Sequence, residues 1–274
     1  MHQSPVADLH VHTTASDGVL TVPELPAVAR EAGVDVVAVT DHDRYHPVLD
    51  APVTVRDGVA LVRGIELRVE AGDQQVDLLG YGVRRTDDLE ALVDRIQRNR
   101  VERGRRIVEC VEARLDVDLG VDPTEGFGRP HIARAIEATD APHDYDGAFE
   151  HLIGNGNPCY VAREIPDFAA GVATLREACD LVALAHPFRY PDVDAALALT
   201  EDLDAIERWY PYDGSRGHDD TGGDAERIDA LAERRDLVRT GGSDAHDRTL
   251  GRAGPSAEAF ERFADRVGVD VASG

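Results

Sequence analysis

"VADLHVH" (residues 6–12), "TVPELPAVAREAG" (21–33) and "VDVVAVTDH" (34–42) follow one another near the start of the chain. The first reads as a strand. The second carries its apolar residues at helical spacing and ends on Gly33. The third is a nearly continuous apolar run before polar residues, and loss of alternation is the mark of a strand covered on both faces. The three make a βαβ unit of a buried parallel sheet.

The alternation continues outward from this unit. "GVALVRGIEL" (58–67) and "QQVDLLGYGV" (74–83) read as strands, with "RVEAGD" (68–73) as a hairpin turn between them. From Thr86 the pattern changes to "DDLEALVDRIQRNRVERGRRIVECVEARL", apolar at helical spacing, with shorter helical pieces at 130–139 and 144–153 before "NPCYVAREIP" breaks the pattern. Strand-like runs are scarce there, so this stretch reads as a helical insertion between parts of one main domain. Alternation resumes with "CDLVALAHP" as strand, "DVDAALAL" as helix, "LDAIERW" as strand, "DAERIDALAERRD" as helix and "LVRTGGSDAH" as strand. "GSRGHDDTGGD" (214–224) reads as a mobile loop. Repeated βα units make an α/β fold that either closes into a barrel or stays an open sheet, and periodicity leaves both open.

Composition limits the function classes. A chain of 274 residues with 42% hydrophobic content buries one sizeable core. No apolar stretch approaches the length of a membrane span, and "MHQSPVADLH" lacks the basic and apolar segments of an export signal, so a cytoplasmic protein is expected. The formal charge is -24, from 53 acidic residues against 29 basic ones, and every basic residue is arginine. Such a surface repels itself unless salt screens it, which suggests a salt-rich cytoplasm. Carboxylates such as Asp219 and Asp220 then read as solvated surface. The charge argues against stable duplex DNA binding but leaves room for a locally basic phosphate pocket. Cys110, Cys159 and Cys179 form neither a zinc signature nor a redox CxxC, and all three are expected as buried thiols.

The strand ends carry the chemistry. The two-residue period of a strand puts His10 and His12 on one face with Val11 pointing away. Asp17 and Gly18 follow, where a turn can return a carboxylate to the imidazoles. "VVAVTDHD" brings His42 to the next strand end, with Asp41 and Asp43 readable as capping or loop carboxylates. "LVRGIEL" places Glu66 after an apolar run, where a lone buried carboxylate is costly without a cation or hydrogen bonds. "LVALAHP" adds His186, and "TGGSDAH" adds Asp244 and His246. One placement repeated at successive strand termini points to a shared polynuclear centre. Imidazoles mixed with carboxylates and no cysteinate suit zinc, manganese or iron. A bridging carboxylate would hold two cations close enough to polarise a phosphoryl group and generate a hydroxide nucleophile, so phosphate ester hydrolysis leads.

The ordered set "DLHVHTTASDG", "VTDHD", "GIE", "GRPH", "LAHPFRYP" and "GSDAH" resembles the PHP superfamily, named for polymerase and histidinol phosphatase domains. The resemblance implies a distorted (βα)7-type barrel, formed by 1–85 and 164–274, with a small helical insertion, 86–163, over the active site. It implies two or three divalent metals at the carboxyl ends of the strands. His10 and His12 would bind one metal with Glu66 and Asp244. Glu66 would bridge to a second held by His186, and Asp17, His42 and His246 would hold a third. His131 in "GRPH" would bind the second metal or contact phosphate, with a plain helix-terminal role as the alternative. Asp77 stands where related proteins often have histidine, as a ligand or as an outer orienting group.

Within the superfamily, the insertion and "LAHPFRYP" look most like the small phosphoesterases acting on nucleotides. That implies hydrolysis of nucleoside monophosphates, 3',5'-bisphosphates or short RNA ends, with histidinol phosphate as runner-up substrate. A noncatalytic metal-binding interaction domain is the rival from another class. Arg129 and Arg189 are the candidate phosphate contacts, because guanidinium forks match phosphate oxygens. Arg134 is a weaker candidate, and Tyr160 and Phe188 would either flank a base or pack the insertion on the barrel. Composition and motifs leave the oligomeric state open.

Overall fold

The computed structural model describes residues 5–212 and 223–270, so most of the loop expected at 214–224 lies outside the described residues, as do Asp219 and Asp220. The leading βαβ unit forms as its pattern requires: β1 (Ala7–Val11) and β2 (Val36–Val39) are buried at every position, with α1 (Leu25–Ala32) between them. Gly33 ends α1 in the left-handed conformation at φ 72°.

Chain order continues with β3 (Val53–Arg56), β4 (Val59–Ala71), β5 (Gln74–Tyr81), α2 (Asp87–Leu115), α3 (Arg129–Glu137) and α4 (Tyr145–Ala148), which runs into a π turn at Phe149–Ile153. Then come α5 (Phe168–Ala178), β6 (Leu181–Leu184), α6 (Val193–Ala198), β7 (Ala205–Trp209), α7 (Gly223–Arg235), β8 (Val238–Gly241) and α8 (Ala257–Val267). The sheet runs β1-β2-β4-β5-β6-β7-β8, with β3 as an antiparallel flap on β4. It is parallel except at β5, which the hairpin after β4 sets antiparallel to both β4 and β6. That reversal brings the beginning of β5, with Asp77, to the end of the sheet where the parallel strands finish.

The sheet curls until its two ends meet. Val11 bridges to Ala245 in parallel sense, and the His12 amide donates to the Ala245 carbonyl at 3.0 Å. Gly242 permits this closure, since a Cβ there would lie 2.2 Å from the His10 amide nitrogen. Inside the ring, one apolar cluster draws on every strand of that order, including Leu9, Ala38, Val62, Leu79, Ala183, Ala205 and Val238, and is capped by Phe260 and Phe263 of α8. Helices cover the outside: α1 lies on β2 and β4, α5 on β4 and β6, and α7 on β7. The result is an α/β fold of the distorted barrel type.

Residues from α2 to the π turn bury a separate apolar cluster containing Ile107, Val111, Phe127, Ile132 and Leu152. Within it the cysteine expectation is corrected. Cys110 on α2 and Cys159 are joined in a disulfide across 49 residues, with Cα atoms 5.5 Å apart. Packing of the helices brings them together, which residue spacing alone does not reveal. Cys179 does remain a thiol, and burial together with Asp180 pushes it up to about 12. No helix among the described residues is long and apolar enough to cross a membrane.

Candidate metal centre

The turn after β1 is built to return a carboxylate to the strand end. The Thr13 amide and hydroxyl each donate to Asp41 at 2.8 Å, and the Ser16 hydroxyl donates to the same carboxylate at 2.7 Å. Gly18 packs so closely that a Cβ would lie 2.3 Å from the His12 carbonyl oxygen. Asp17 is thereby folded back, its Oδ1 standing 3.3 Å from His246 Nε2 and 3.7 Å from His42 Nε2. Asp41 is thus the carboxylate that ties down this turn.

The strand-end residues converge into three groups whose donor atoms lie within 4.8 Å of one another: His12, Asp17, His42 and His246; His10, His12 and Glu66; and Glu66, Asp77 and His186. His12 and Glu66 each belong to two groups, so the three form one continuous centre. Asp244 joins the middle group, its Oδ1 3.1 Å from His12 Nε2 and 3.5 Å from His10 Nε2. Glu66 Oε1 stands 3.1 Å from His186 Nε2 and 3.4 Å from His10 Nε2. It does so from within β4, which continues beyond it to Ala71, so Glu66 is not at a strand terminus. Backbone conformation marks the same places: Asp43, His186 and Asp244 have φ of 55°, 25° and 48°. Non-glycine residues adopt such angles at a cost that surrounding structure must cover, commonly at functional sites.

The donor set fits divalent cations. His10 Nε2, His12 Nε2, Asp17 Oδ1 and Glu66 Oε2 are buried without a hydrogen-bond partner of good geometry among the described residues. Buried polar atoms left so are expensive, and a cation satisfies several at once. Without cations, protons hold the centre together. Burial opposes charge on His10, yet Glu207, Asp244 and Glu66 outweigh it and raise its pKa. His42 is raised likewise, against burial, by Glu66 and Asp17, and His246 rises to about 9 through Asp17 and Asp244. His12 moves the other way, to about 4, from burial and the neighbouring His246 and His42. Despite their own burial, Glu66, Asp17 and Asp244 are held well below the usual carboxylate range by these imidazoles. The centre therefore has capacity for two or three divalent cations.

Three candidate residues stand outside the groups. His131 Nδ1 accepts the Gly128 amide at 3.1 Å at the start of α3, and its ring stacks on Phe127. In the neutral ring this bond places the proton on Nε2, making that atom a donor. Arg129 donates to the Ile153 carbonyl and to Asn155 Oδ1, at 3.2 and 3.0 Å, beneath the Phe149 and Tyr160 rings. Arg189 reaches Asp244 Oδ2 at 3.1 Å and the Tyr210 hydroxyl at 2.8 Å. Of the weaker candidates, Arg134 reaches the Asp17 carbonyl, while Phe188 is core.

Glu207 and the arginines Arg68, Arg100 and Arg163 escape the sequence reading. Glu207, fully buried on β7, accepts from His10 Nδ1 at 3.0 Å and from the His186 amide at 2.7 Å. It turns the His10 Nε2 lone pair toward Glu66 and Asp244, as carboxylates behind metal-binding histidines do. In "LDAIERW" Glu207 follows the apolar pair Ala205 and Ile206 within a strand, the kind of placement that singled out Glu66, but Asp204 and Arg208 stand close to it. Asp77 is gripped by both nitrogens of an Arg68 fork, at 2.7 and 2.6 Å, and its Oδ2 is 3.6 Å from His186 Nε2. Asp43 receives Arg100 from α2 and Arg163 from beyond the disulfide.

A family model described as PHP domain matches residues 8–137. A phosphoribosyl 1,2-cyclic phosphate 1,2-diphosphodiesterase of Eggerthella lenta is 32% identical over 257 residues, covering 89% of this chain and 95% of its own. A 3',5'-nucleoside bisphosphate phosphatase of Chromobacterium violaceum is 28% identical over 252 residues, covering 87% and 86%. A Bifidobacterium adolescentis structure assigned as a metal-dependent phosphoesterase superposes with a TM-score of 0.78 at 25% identity, over 98% of this chain and 99% of that one. Likeness across nearly the whole length, joined to a histidine and carboxylate centre at one end of the barrel, makes the chain a member of the PHP superfamily, related to its small nucleotide phosphoesterases, and a metal-dependent phosphoesterase.

Proposed function

We propose that this enzyme removes phosphate from nucleotides, namely nucleoside monophosphates, nucleoside 3',5'-bisphosphates or short RNA ends, with the strongest selectivity for substrates carrying a phosphate remote from the scissile one. The observation that carries this is a group of arginines beside the metal centre. Arg68 reaches back to Asp77 of the centre, and Arg163 and Arg100 share Asp43, the residue after His42. Behind them, Arg103 and Arg129 pair with no carboxylate among the described residues, and spend hydrogen bonds on the Val161 and Ile153 carbonyls. Burial and the nearby Arg129, Arg163 and Arg100 pull Arg103 down to about 9, and burial, only partly offset by Asp43, brings Arg163 to about 10. Positive charge is crowded here. A phosphate dianion would relieve it, and planar guanidinium forks suit its oxygens.

In this reading His10, His12, Glu66 and Asp244 hold one cation, Glu66 and His186 a second, and Asp17, His42 and His246 a third, with manganese, zinc or iron matching the donors. Cations held there supply positive charge for the phosphoryl oxygens and acidify a water molecule. Glu207 fixes the tautomer of His10. Arg189, half-exposed beside Asp244, orients a nonbridging oxygen, and His131 presents Nε2–H to the phosphate.

The test is a side-by-side specificity constant at molar salt with AMP, a 3',5'-bisphosphate, a short 5'-phosphorylated RNA and histidinol phosphate. The bisphosphate or the RNA should lead and histidinol phosphate should trail. A large preference for histidinol phosphate would reverse the reading, and inactivity toward every ester would favour a noncatalytic metal-binding domain.

A further inference from the structure

Residues 160–166 have no regular secondary structure and lie along α2 as an extended strap. Its ties to α2 fall on one stripe of the helix. Cys159 is bonded to Cys110, the Val161 carbonyl accepts from Arg103 Nε at 2.6 Å, and the Glu164 amide donates to Asn99 Oδ1 at 3.1 Å. Positions 99, 103 and 110 are one and two turns apart, so they share a face. The directions are opposite and the lengths match: helix from 99 to 110 and extended chain from 159 to 164 each cover about 16 Å. At its far end the strap is pinned to β4, where the Glu70 amide donates to the Pro166 carbonyl at 2.9 Å. Between the pins it carries Tyr160, whose ring lies 5.7 Å from the Arg129 guanidinium, and Arg163, which reaches Asp43.

We propose that the Cys110–Cys159 disulfide is a specificity-determining clasp: it holds the strap in register on α2 and so keeps Tyr160, Arg163 and Arg103 placed around a substrate's remote phosphate. The proposal rests on the reading above that these arginines receive that phosphate. Opening the clasp is a two-electron exchange with a dithiol reductant. A thiolate of the reductant attacks the half-buried Cys110 sulfur, and Cys159 leaves as thiolate and takes up a proton. The second reductant thiol then displaces Cys110, which is also protonated, and the reductant ends as a disulfide. The metal groups lie on β1, β4 and β5 and on the turns that follow β1, β2, β6 and β8; the strap contributes none of these residues and comes near them through Arg163 on Asp43, so opening changes selectivity and leaves the ligands of the centre in place.

The experiment uses the full metal-loaded chain and two substrates, a nucleoside 3',5'-bisphosphate and a small aryl phosphate with no remote phosphate. A thiol titration first counts free cysteines under denaturing conditions, and the proposal requires one, Cys179. The Cys110→Ser/Cys159→Ser double variant supplies the open state without a reductant that would itself bind the cations. Its KM for the bisphosphate should rise about tenfold while kcat/KM for the aryl ester stays within about twofold. Unchanged selectivity in the variant would overturn the proposal, as would three free thiols in the parent. Equal losses on both substrates would also overturn it, by marking the bond as a general stabiliser. Failure of the substrate reading itself is seen separately, as absence of bisphosphate preference in the closed parent protein.

Discussion

Glu207 is the residue on which the geometry of the centre turns without being a donor itself. One oxygen fixes the ring of His10 and the other holds the amide of His186, so two of the three donor groups depend on one carboxylate. Glu207→Gln keeps the shape but can present N–H where His10 Nδ1–H needs an acceptor. Outer carboxylates of this kind are worth about 10–100-fold in metal affinity. The expected loss is of that size, read by competition with a chelator of known affinity, with the circular dichroism spectrum of the metal-free variant showing that the fold is retained. Unaltered affinity would leave Glu207 a core hydrogen-bonding group and nothing more. The HxH pair, Glu66, His186 and the Asp244/His246 pair were legible because polar residues interrupt apolar strands where burial is expensive. Glu207 sends a weaker version of this signal, because Arg208 beside it and Asp204 before the strand make it read as part of an ordinary charged surface run. Arg68, Arg103 and Arg163 were hidden among arginines spread along the whole chain.

Among the elements, α2 and the strap are joined to the barrel through Asp43. It is almost fully buried, receives Arg100 and Arg163, and accepts the Arg68 amide at 3.1 Å. Burial alone would raise its pKa, but Arg163 and Arg100 overcome this and hold it well below the usual carboxylate range. A depressed acid contributes stability above its unfolded pKa, near 4, and that contribution fades as pH falls below this value. Asp43→Asn leaves the buried Arg100 and the half-buried Arg163 without their carboxylate, a change that costs about 3–5 kcal/mol when a buried pair is broken. Chemical denaturation at pH 7 should show that loss, and the difference between parent and variant should shrink in acid. A loss that is the same at pH 3 as at pH 7 would assign the effect to packing. The alternating strands and helices, including the hairpin that reverses β5, could be read from periodicity and turn residues. The flap β3 could not, since it has only four residues and none of them is fully buried, whereas α8 was missed although Ser256 caps its start and Gly268 its end, because it follows the last strand and the alternation that guided the reading stops there.

On the scale of the whole molecule, charge governs both assembly of the centre and stability. With His246 near 9 in the metal-free protein, that imidazole is protonated at neutral pH, and cation binding must expel its proton. A raised base contributes stability that is complete below its unfolded pKa of about 6.5 and is lost as pH climbs through about 9. The metal-free protein should accordingly weaken across that window while apparent cation affinity rises. Titration calorimetry in buffers of different ionisation enthalpy checks this: the buffer-dependent part of the heat should be larger at pH 7 than at pH 9.5, where His246 has already given up its proton. A net charge of -24 adds self-repulsion over the surface, which screens out as the Debye length shrinks to about 3 Å at 1 M salt. Thermal midpoints should rise between dilute and molar potassium chloride.

Anomalous diffraction from metal-loaded crystals at energies either side of the absorption edge tests the central claim most directly. The account predicts two or three peaks in one cluster, one of them bounded by His10, His12, Glu66 and Asp244, one by Glu66 and His186, and any third by Asp17, His42 and His246. A single peak remote from Glu66, in crystals of protein that hydrolyses a phosphate ester, would contradict it.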